Sequence, residues 1–437
     1  MMLLGTQRIN AAGHLEIGGC DAVELARKFG TPLYAMDEAS IRERCRAYRR
    51  AFERNHANSE VLFAGKAFLT TAMCRLIDQE GLGLDVASAG ELHTALTAGF
   101  PPDRVCMHGN FKSLRELEMA LDNGVGRTIV DSIAELNALN SLAAERGGTA
   151  NILLRVTPAV DPHTHKYIQT GKIDTKFGLG IDTGQALQGV KIALECANVR
   201  LRGLHCHVGS QLLDTEAFEL AANMMPQFIR QATASTGCPI DELNLGGGLG
   251  IRYLERHDPP SIDAFAETLF ARLTENFGEI KQPLPKIMIE PGRSIVGEAG
   301  TTLYTVGPIK RIPNVRTYIS VDGGLSDNPR PALYEAEYSA MIANRAEQIP
   351  DVTVTVAGKH CETDNLIMDI ALASPQTGDI LAVQCTGAYN YAMASNYNRF
   401  TKPAVILVHD GDAEVIVRRE TLDDLTAHDV IPDRLRD

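Results

Sequence analysis

The decapeptide VLFAGKAFLT, residues 61–70, joins a short apolar run to a single lysine. Its first three residues have high β-propensity, and small residues follow on both sides of Lys66. An amine in an apolar pocket is poorly solvated as an ammonium ion, so it can act as a nucleophile or form a Schiff base. The segment therefore indicates a buried strand that ends at a reactive lysine. The alternative is a lysine at a strand end whose charge reaches water.

The pairing of a short apolar strand with a helical segment repeats through the first two thirds of the chain. Eight strands are predicted, at residues 61–63, 82–86, 104–107, 128–130, 152–156, 203–206, 242–245 and 286–289. Amphipathic helical segments fill most of the gaps, at residues 70–79, 90–98, 114–122, 133–146, 216–233 and 262–276. Eight parallel βα units predict an α/β fold in the form of a closed (β/α)8 TIM-like barrel. An open, doubly wound sheet is the alternative.

Strand-like segments separated by Gly, Asp and Pro turns dominate the sequence after the predicted barrel. This pattern predicts a mainly β C-terminal domain. Residues 1–40 are also strand-rich, and we expect them to pair with that domain. The sequence therefore predicts three parts, namely an N-terminal segment (1–40), a barrel (41–297) and a β-rich domain (298–437).

The composition excludes several classes of protein. With 437 residues, 44% hydrophobic and 22% charged, the chain is typical of a soluble globular protein of about two domains. A net charge of −13 and the lack of a Lys/Arg run argue against a nucleic-acid partner. We find no apolar segment of about 18 residues and no signal peptide. Nine cysteines without CxxC or zinc-type spacing favour reduced thiols in the cytoplasm.

A polar or glycine-rich group follows each of the eight predicted strands. In chain order these groups are Lys66, Asp85, His108, Asp131, Arg155, His207, the run Gly246, Gly247 and Gly248, and Glu290 with Arg293. Active sites of (β/α)8 barrels lie at the C-terminal ends of the strands. This series therefore predicts an active site at that end of the barrel.

Three strand-end motifs indicate particular chemistry. NLGGGLG (residues 244–250) lets backbone N–H groups approach an anion, although a tight turn is the alternative and the glycine spacing of a dinucleotide site is missing. HCHVGSQ (205–211) offers two histidines and Ser210, but a zinc site lacks a clear third ligand, so we expect no metal. EPGRSIV (290–296) supplies a carboxylate and a guanidinium, for which a structural salt bridge is the alternative.

Three motifs in the predicted β domain are unlike ordinary strand sequence. They are DNPRPALY (327–334), with Arg330 and Tyr334, GKHCETDN (358–365), with Cys361 and Glu362, and GAYNYAMASNYN (387–398). Each of them alone is more simply explained as a surface loop, and the cysteine as an inert thiol. Taken with the barrel, they supply the groups that bind a zwitterionic amino acid and donate a proton.

A lysine for an imine, a phosphate cradle and a carboxylate for a ring nitrogen together suit pyridoxal 5'-phosphate. At this point the chain resembles the alanine-racemase-like (fold type III) pyridoxal phosphate-dependent decarboxylases over nearly its whole length. The resemblance rests on one ordered series of motifs: FAGKA, LDVASAGEL, HGNFKS, TKFGLG, HVGSQ, GGGLG, EPGR, DNPRPALY, CE and GAY…NYN.

The resemblance implies a role for each matching residue. Lys66 would bind the cofactor covalently, His207 would stack on its ring, and Glu290 would bond its pyridine nitrogen. The other expected cofactor-binding residues are Asp85, Arg155, Ser210, Gly246, Gly247, Gly248, Gly292, Arg293 and Tyr389. The expected substrate-binding residues are Arg293, Arg330, Tyr334, Glu362 and Tyr389.

The resemblance also implies a homodimer whose active site is shared across the interface. Cys361 would come from the other subunit and donate a proton to the substrate carbon. Residues 163–176 are a candidate for a segment that closes over the substrate.

The implied reaction is decarboxylation of meso-2,6-diaminopimelate to L-lysine, the last step of lysine biosynthesis. A relative that acts on ornithine, lysine, arginine or carboxynorspermidine is the alternative. Arg330 with Glu362 favours a substrate whose far end is itself an amino acid, because a plain amine needs no guanidinium. Glu290 disfavours a racemase, and the presence of both Lys66 and Cys361 disfavours a non-catalytic binding protein.

The chain departs from the family pattern at a few positions. Phe63 stands where tyrosine is common, and Phe68 where asparagine is common. Cys361 and Glu362 are followed by Thr-Asp-Asn (363–365) instead of the more usual Ser-Gly-Asp. These changes bear on the substrate preference.

Overall fold

The computed structural model describes residues 2–158 and 176–436. Contacts between residues divide the chain into two units. The barrel unit comprises Arg42–Ile251 and His257–Ile295, and the β unit comprises Met1–Ile41, Arg252–Arg256 and Val296–Asp437. Among the described residues, none of the helices combines the length and the apolar character needed to cross a lipid bilayer.

Eight parallel strands close into the predicted barrel. They are Ser59–Ala64, Gly83–Val86, Val105–Met107, Arg127–Val130, Ala150–Thr157, Val199–His205, Glu242–Asn244 and Lys286–Ile289. Each strand pairs with the next one in the sequence, and Ile287 of the last strand pairs with Ser59 of the first, which closes the sheet. A two-residue strand, Leu179–Gly180, adds to the edge of the fifth strand. The prediction of a (β/α)8 barrel is therefore confirmed.

The helices of the barrel unit follow from local sequence signals. Their bounds are Glu38–Asn55, Thr71–Gln79, Ala89–Thr97, Leu114–Asp122, Ile133–Glu145, Gln185–Glu195, Glu216–Thr236, Ile262–Glu279 and Arg293–Val296. Ser88, Ser113, Ser132 and Ser261 each cap a helix, because the hydroxyl oxygen accepts a hydrogen bond from a backbone N–H of the first turn. The sequence analysis did not delimit the helix Gln185–Glu195.

The inside of the barrel is apolar, and charged residues lie at the N-terminal ends of its strands. Leu62, Cys106, Ile129, Leu153 and Met288 form one buried cluster inside the sheet. At the N-terminal ends of the strands lies a second cluster, which we call the basal ion cluster: Glu60, Arg127, Glu242 and Lys286. Arg127 makes two hydrogen bonds to Glu242, of 2.6 and 2.9 Å, and Lys286 Nζ lies 2.5 Å from Glu60 Oε2.

The β unit is built around one sheet that uses both ends of the chain. Its strand order is Asn365–Leu372, Val352–Ala357, Arg316–Val321, Gly300–Ile312, Leu33–Asp37, Ala404–His409 and Asp412–Val417. Strand Ile380–Gln384 also pairs with Gly300–Ile312, and strand Ala340–Ile342 pairs with Ile380–Gln384. The predicted mainly β domain, joined by an N-terminal strand, is confirmed, because Leu33–Asp37 pairs with Gly300–Ile312 and Ala404–His409.

Smaller elements complete the β unit. Arg8–Ile9, Leu15–Ile17 and Cys20–Asp21 form a three-stranded sheet. The α-helices are Ala22–Phe29, Arg330–Tyr334 and Leu422–Thr426, and the 3-10 turns are Ala343–Arg345, Tyr391–Met393, Tyr397–Arg399 and Asp433–Leu435. A core of buried aliphatic residues, including Leu15, Leu33, Leu303 and Ile406, lies between these elements and the large sheet.

Candidate active site

The side chain of Lys66 is exposed at the C-terminal end of the first barrel strand. Lys66 lies in the 3-10 turn Gly65–Ala67, whose other two residues are buried. The expectation of an amine enclosed by apolar groups is therefore not met. The turn buries its small residues Gly65 and Ala67, whereas Lys66 between them is exposed. Phe63 and Phe68, the two departures beside the lysine, are buried in the core.

Glu290 is a buried carboxylate of the barrel unit that three side chains contact. Oε1 accepts a hydrogen bond from Asn244 Nδ2 at 2.7 Å and lies 2.8 Å from His108 Nε2. Oε2 lies 3.2 Å from His205 Nε2. All four residues are buried. Although burial opposes its charge, the charge of His108 and the hydrogen bonds of His108 and His205 hold the pKa of Glu290 well below its ordinary value.

Burial shifts the pKa values of two groups near Glu290, namely His205 and Asp85. Burial lowers the pKa of His205 to about 4, so this ring is neutral and donates its Nε2 proton to Glu290. Burial raises the pKa of Asp85 to about 6, against the opposing charges of His108 and Lys66. Asp85 Oδ1 lies 3.6 Å from His108 Nε2. The pKa of Glu290 is lowered and that of Asp85 is raised, so Glu290 ionises at a lower pH than Asp85.

The sequence analysis assigned no role to three residues that contact Glu290. His108 stands at a strand end, His205 begins HCHVGSQ, and Asn244 precedes the three glycines, but their common target lies far away in the sequence. The side chains of His108, His205 and Glu290 fall within 4.8 Å of one another, a spacing that also suits a metal ion. The hydrogen bonds of the two rings to Glu290 account for that proximity.

The three glycines form a cradle that has no space for side chains. A Cβ atom on Gly247 would lie 2.1 Å from the backbone oxygen of Glu290. Gly246 and Gly248 have φ angles of +67° and +136°, which favour glycine. A Cβ on Gly246 would lie 2.8 Å from His207 Nδ1, so the cradle is next to that ring. Burial lowers the pKa of His207 well below its ordinary value, which leaves a neutral ring.

Ser210 and Arg293 add polar groups to the same end of the barrel. Arg293 Nη2 donates a hydrogen bond of 3.0 Å to the Ser210 hydroxyl oxygen. The residues present fit pyridoxal 5'-phosphate, because a cradle without Cβ atoms and a hydroxyl suit its phosphate, and an ionised, buried Glu290 suits a protonated ring nitrogen. Gly292 packs against Ala64 and Ala67, because a Cβ atom added to Gly292 would lie 3.0 Å from the Cβ atom of each alanine.

Arg155 is held by contacts on two sides. Its Nε lies 3.8 Å from Asp131 Oδ1, and its guanidinium carbon lies 4.3 Å from the centre of the Phe177 ring. Asp131 Oδ2 also accepts a hydrogen bond of 2.9 Å from the backbone N–H of Gly178. Arg155 is thus fixed beside the fourth and fifth strands. Of the candidate closing segment 163–176, and of the TKFGLG motif, residues up to 175 lie outside the described part of the chain.

In the β unit, Arg330 is buried and ordered by two phenols. Its Nη1 donates hydrogen bonds to the hydroxyl oxygens of Tyr253 at 3.0 Å and Tyr338 at 2.7 Å. Tyr334, four residues later in the short helix Arg330–Tyr334, is 64% exposed, in contrast to the buried Arg330. Tyr253 and Tyr338 are contacts that the motif DNPRPALY did not indicate.

Cys361 and Glu362 lie on an exposed loop that the NYN part of the third motif holds. The backbone N–H of Cys361 donates a hydrogen bond of 3.1 Å to Asn398 Oδ1. Tyr397 donates its hydroxyl proton to Glu362 Oε1 at 2.5 Å. All nine cysteines are described, and Cys361 is the exposed one. Tyr389, which is half-buried, has a φ angle of +65°.

Comparison with known proteins gives consistent results. The family profile described as "Pyridoxal-dependent decarboxylase, pyridoxal binding domain" matches residues 38–297. The chain is 48% identical over 431 residues to diaminopimelate decarboxylase of Bacillus subtilis (strain 168), covering 98% of each chain. The identity to the Synechocystis sp. enzyme of the same name is 43% over 441 residues, covering 98% of this chain and 93% of the other.

Solved structures of similar proteins agree with this result. The crystal structure of diaminopimelate decarboxylase from M. jannaschii in co-complex with L-lysine is 37% identical, with a TM-score of 0.94, and covers 99% of this chain and 100% of that chain. The enzyme from Helicobacter pylori complexed with L-lysine is 31% identical, with a TM-score of 0.83, and covers 92% of this chain and 98% of the other.

Proposed function

Because the chain belongs to the pyridoxal-dependent decarboxylase family, in the branch that contains the diaminopimelate decarboxylases, we propose that it converts meso-2,6-diaminopimelate to L-lysine and CO2. The observation that carries the proposal is the buried, ionised Glu290 beside the glycine cradle. A carboxylate in that state keeps a ring nitrogen protonated. Formation of L-lysine is the last step of lysine biosynthesis.

The barrel unit would hold pyridoxal 5'-phosphate. Lys66 would bind the cofactor covalently, and its exposure leaves the amine accessible for that reaction. Ser210 and the cradle of Gly246, Gly247 and Gly248 would receive the phosphate, and His207 would stack on the ring. Asp85, Arg155, Gly292, Arg293 and Tyr389 complete the proposed set. When bound, pyridoxal 5'-phosphate would supply an electron sink for the pair left on the substrate carbon after loss of CO2.

The β unit would bind the substrate and complete the reaction. Arg330, together with Arg293 of the barrel unit, would bind a carboxylate at the far end of the substrate, with Tyr334 and Tyr389 beside it, and Glu362 would bind the far ammonium group. The Cys361 thiol would donate its proton to the carbon that lost CO2, and the resulting thiolate regains a proton from solvent. Arg330 supports a substrate with a second carboxylate, since its guanidinium is fixed by Tyr253 and Tyr338.

A homodimer with a site shared between subunits is part of the proposal. Cys361 and Glu362 are exposed on the β unit, so they are accessible to a second subunit.

We also propose that the division into residues 1–40, 41–297 and 298–437 reflects domains, supported by the family match over 38–297. The nine free cysteines support a cytoplasmic location.

An end-point assay tests the proposed substrate. Purified, cofactor-loaded protein is offered meso-2,6-diaminopimelate, L-lysine, L-ornithine or L-arginine separately, and CO2 and the product amine are measured. We expect CO2 from meso-2,6-diaminopimelate alone, with L-lysine as the product. Turnover of L-ornithine, L-lysine or L-arginine in its place would assign the chain to a neighbouring decarboxylase. A lack of CO2 from all four compounds would overturn the proposal.

A further inference from the structure

His360 and Asp364 form a buried pair at the base of the loop that carries Cys361 and Glu362. The side chains are 0% and 4% exposed, and His360 Nδ1 lies 2.6 Å from Asp364 Oδ2. The same carboxylate oxygen accepts a hydrogen bond of 3.2 Å from the backbone N–H of His360. Asp364 therefore closes the five-residue loop 360–364 on itself, and the two exposed residues lie within that loop.

The hydrogen bonds fix which nitrogen of His360 carries the proton. The backbone N–H of Ser326 points at His360 Nε2, at 3.2 Å. A backbone N–H can only donate, so Nε2 accepts, and Nδ1 must carry the proton that is donated to Asp364. The imidazole is thus neutral, with both nitrogens engaged. It connects the 360–364 loop to the segment that begins at Ser326 and continues into Arg330.

Close packing leaves the ring one position. His360 lies between Tyr397, whose ring is 6.1 Å away and nearly parallel, and Phe400, whose ring is 4.8 Å away and nearly perpendicular. A Cβ atom on Gly358 would lie 2.0 Å from Asp364 Oδ2, so no larger residue fits between the backbone and this carboxylate. Tyr397 itself donates a hydrogen bond to Glu362.

We propose that His360 and Asp364 are positioning residues that hold the Cys361–Glu362 loop in register with Arg330. The inference rests on the proposed function, because it takes Cys361 as proton donor and Glu362 and Arg330 as substrate-binding groups. It also explains one departure from the family pattern. Asp364 faces the interior and bonds His360, so the Thr-Asp-Asn sequence supplies a carboxylate that fixes the loop and leaves substrate contact to Glu362.

Substitution of Asp364 tests the proposal by two measurements. We expect Asp364→Ala to lower kcat/KM for meso-2,6-diaminopimelate by about tenfold or more, since small displacements of reacting groups cost large factors in rate. Asp364→Asn keeps an oxygen acceptor for Nδ1–H and should retain activity within about threefold. The cofactor absorption spectrum and dissociation constant should be unchanged in both variants. Asp412→Ala, an exposed aspartate of the same unit, is the matched control.

Alkylation of Cys361 supplies a readout that is independent of turnover. The rate of modification by iodoacetamide, followed by mass spectrometry of the Cys361 peptide, should change by about threefold or more in Asp364→Ala, because a released loop no longer holds the thiol in one environment. His360→Gln is the second variant if Asp364→Ala does not fold. If kcat/KM and the rate of alkylation are both unchanged in Asp364→Ala, or in His360→Gln where that variant replaces it, the proposal is wrong. Failure of wild-type protein to decarboxylate the substrate would overturn the proposed function alone, because alkylation still reports on the loop.

Discussion

Nε2 of His108 lies 2.8 Å from Oε1 of Glu290, and both side chains are buried at the C-terminal ends of barrel strands. His205 and Asn244 contact the same carboxylate. Three side chains from different strands or strand ends therefore fix the position and the charge of one acid. The proposed function depends on that charge, and the first prediction removes it.

Glu290→Gln keeps the shape of the side chain and removes its charge. We expect kcat to fall by about 100-fold or more, because a neutral amide does not stabilise a protonated ring nitrogen. Cofactor affinity should fall much less, since the cradle is intact. Steady-state rates and a spectroscopic cofactor titration measure the two effects. Glu60→Gln, in the basal ion cluster, is the control and should retain kcat; an equal loss there would contradict the prediction.

Asp85 should make the cofactor-free protein less stable as the pH rises. Because burial raises its folded-state pKa to about 6, the folded protein holds this proton more tightly than the unfolded chain. The stabilisation is complete below the ordinary pKa and is lost as pH rises through the folded-state value. We therefore compare the unfolding free energies of Asp85→Asn and wild type at two pH values. The value of the variant minus that of wild type should be about 1–2 kcal/mol larger at about pH 8 than at about pH 5. Urea unfolding at both pH values checks it, and a pH-independent difference would contradict it.

The proposed shared site predicts complementation between two inactive variants. Lys66→Ala lacks the amine proposed to bind the cofactor, and Cys361→Ala lacks the proposed proton donor. When equal amounts are mixed and allowed to exchange subunits, hybrid dimers contain one intact site, and activity should reach about a quarter of wild type. The rate of CO2 release after mixing measures this recovery. Activity no greater than the mean of the two separate variants would show that each site uses residues of one chain only.

Gly247→Ala should destabilise the barrel unit. The new Cβ would meet the backbone oxygen of Glu290 at 2.1 Å, and relief of that clash requires movement of the main chain. We expect a loss of about 2 kcal/mol or more of unfolding free energy. Gly278→Ala, whose Cβ meets nothing within 4 Å, is the matched control and should change stability by less than about 1 kcal/mol. Thermal or urea unfolding distinguishes the two variants.

Arg330→Lys should weaken substrate binding selectively. A lysine cannot make the hydrogen bonds that hold the guanidinium to Tyr253 and Tyr338 and still present a planar donor pair to a carboxylate. We expect KM for meso-2,6-diaminopimelate to rise by about tenfold or more, with an unchanged cofactor dissociation constant. Arg316→Lys, which removes an Arg–Asp369 pair elsewhere in the β unit, is the control. A similar rise in that variant would contradict the role of Arg330.

The sequence was sufficient for the barrel because strand and helix patterns are local. The helix Leu114–Asp122 and the strand Lys286–Ile289 were predicted with their observed bounds, and the first strand was predicted within two residues at each end. The helix Gln185–Glu195 was not delimited, since it starts after a left-handed Gly184 without a capping side chain. The pairing of Leu33–Asp37 with the β sheet was also predicted, because apolar strand segments at both chain ends need partners.

Contacts between residues far apart in the sequence could not be predicted from local patterns. The exposure of Lys66 depends on how its turn packs, and the motif FAGKA does not encode it. The convergence of His108, His205 and Asn244 on Glu290 depends on barrel closure, which brings separate strands together. The proposed role of Asp364 could not be inferred from the sequence either, because it depends on the His360 ring, which also accepts a hydrogen bond from the distant backbone N–H of Ser326.

The position of Leu33–Asp37 in the middle of the large sheet has a consequence for synthesis of the protein. This strand leaves the ribosome early, but its partners Gly300–Ile312 and Ala404–His409 come much later. The barrel can assemble from consecutive βα units as translation proceeds, whereas the apolar strand Leu33–Asp37 stays unpaired until Gly300–Ile312 has been synthesised. During that interval it is a site for chaperone binding or aggregation, so slow translation and N-terminal truncation should both reduce the soluble yield.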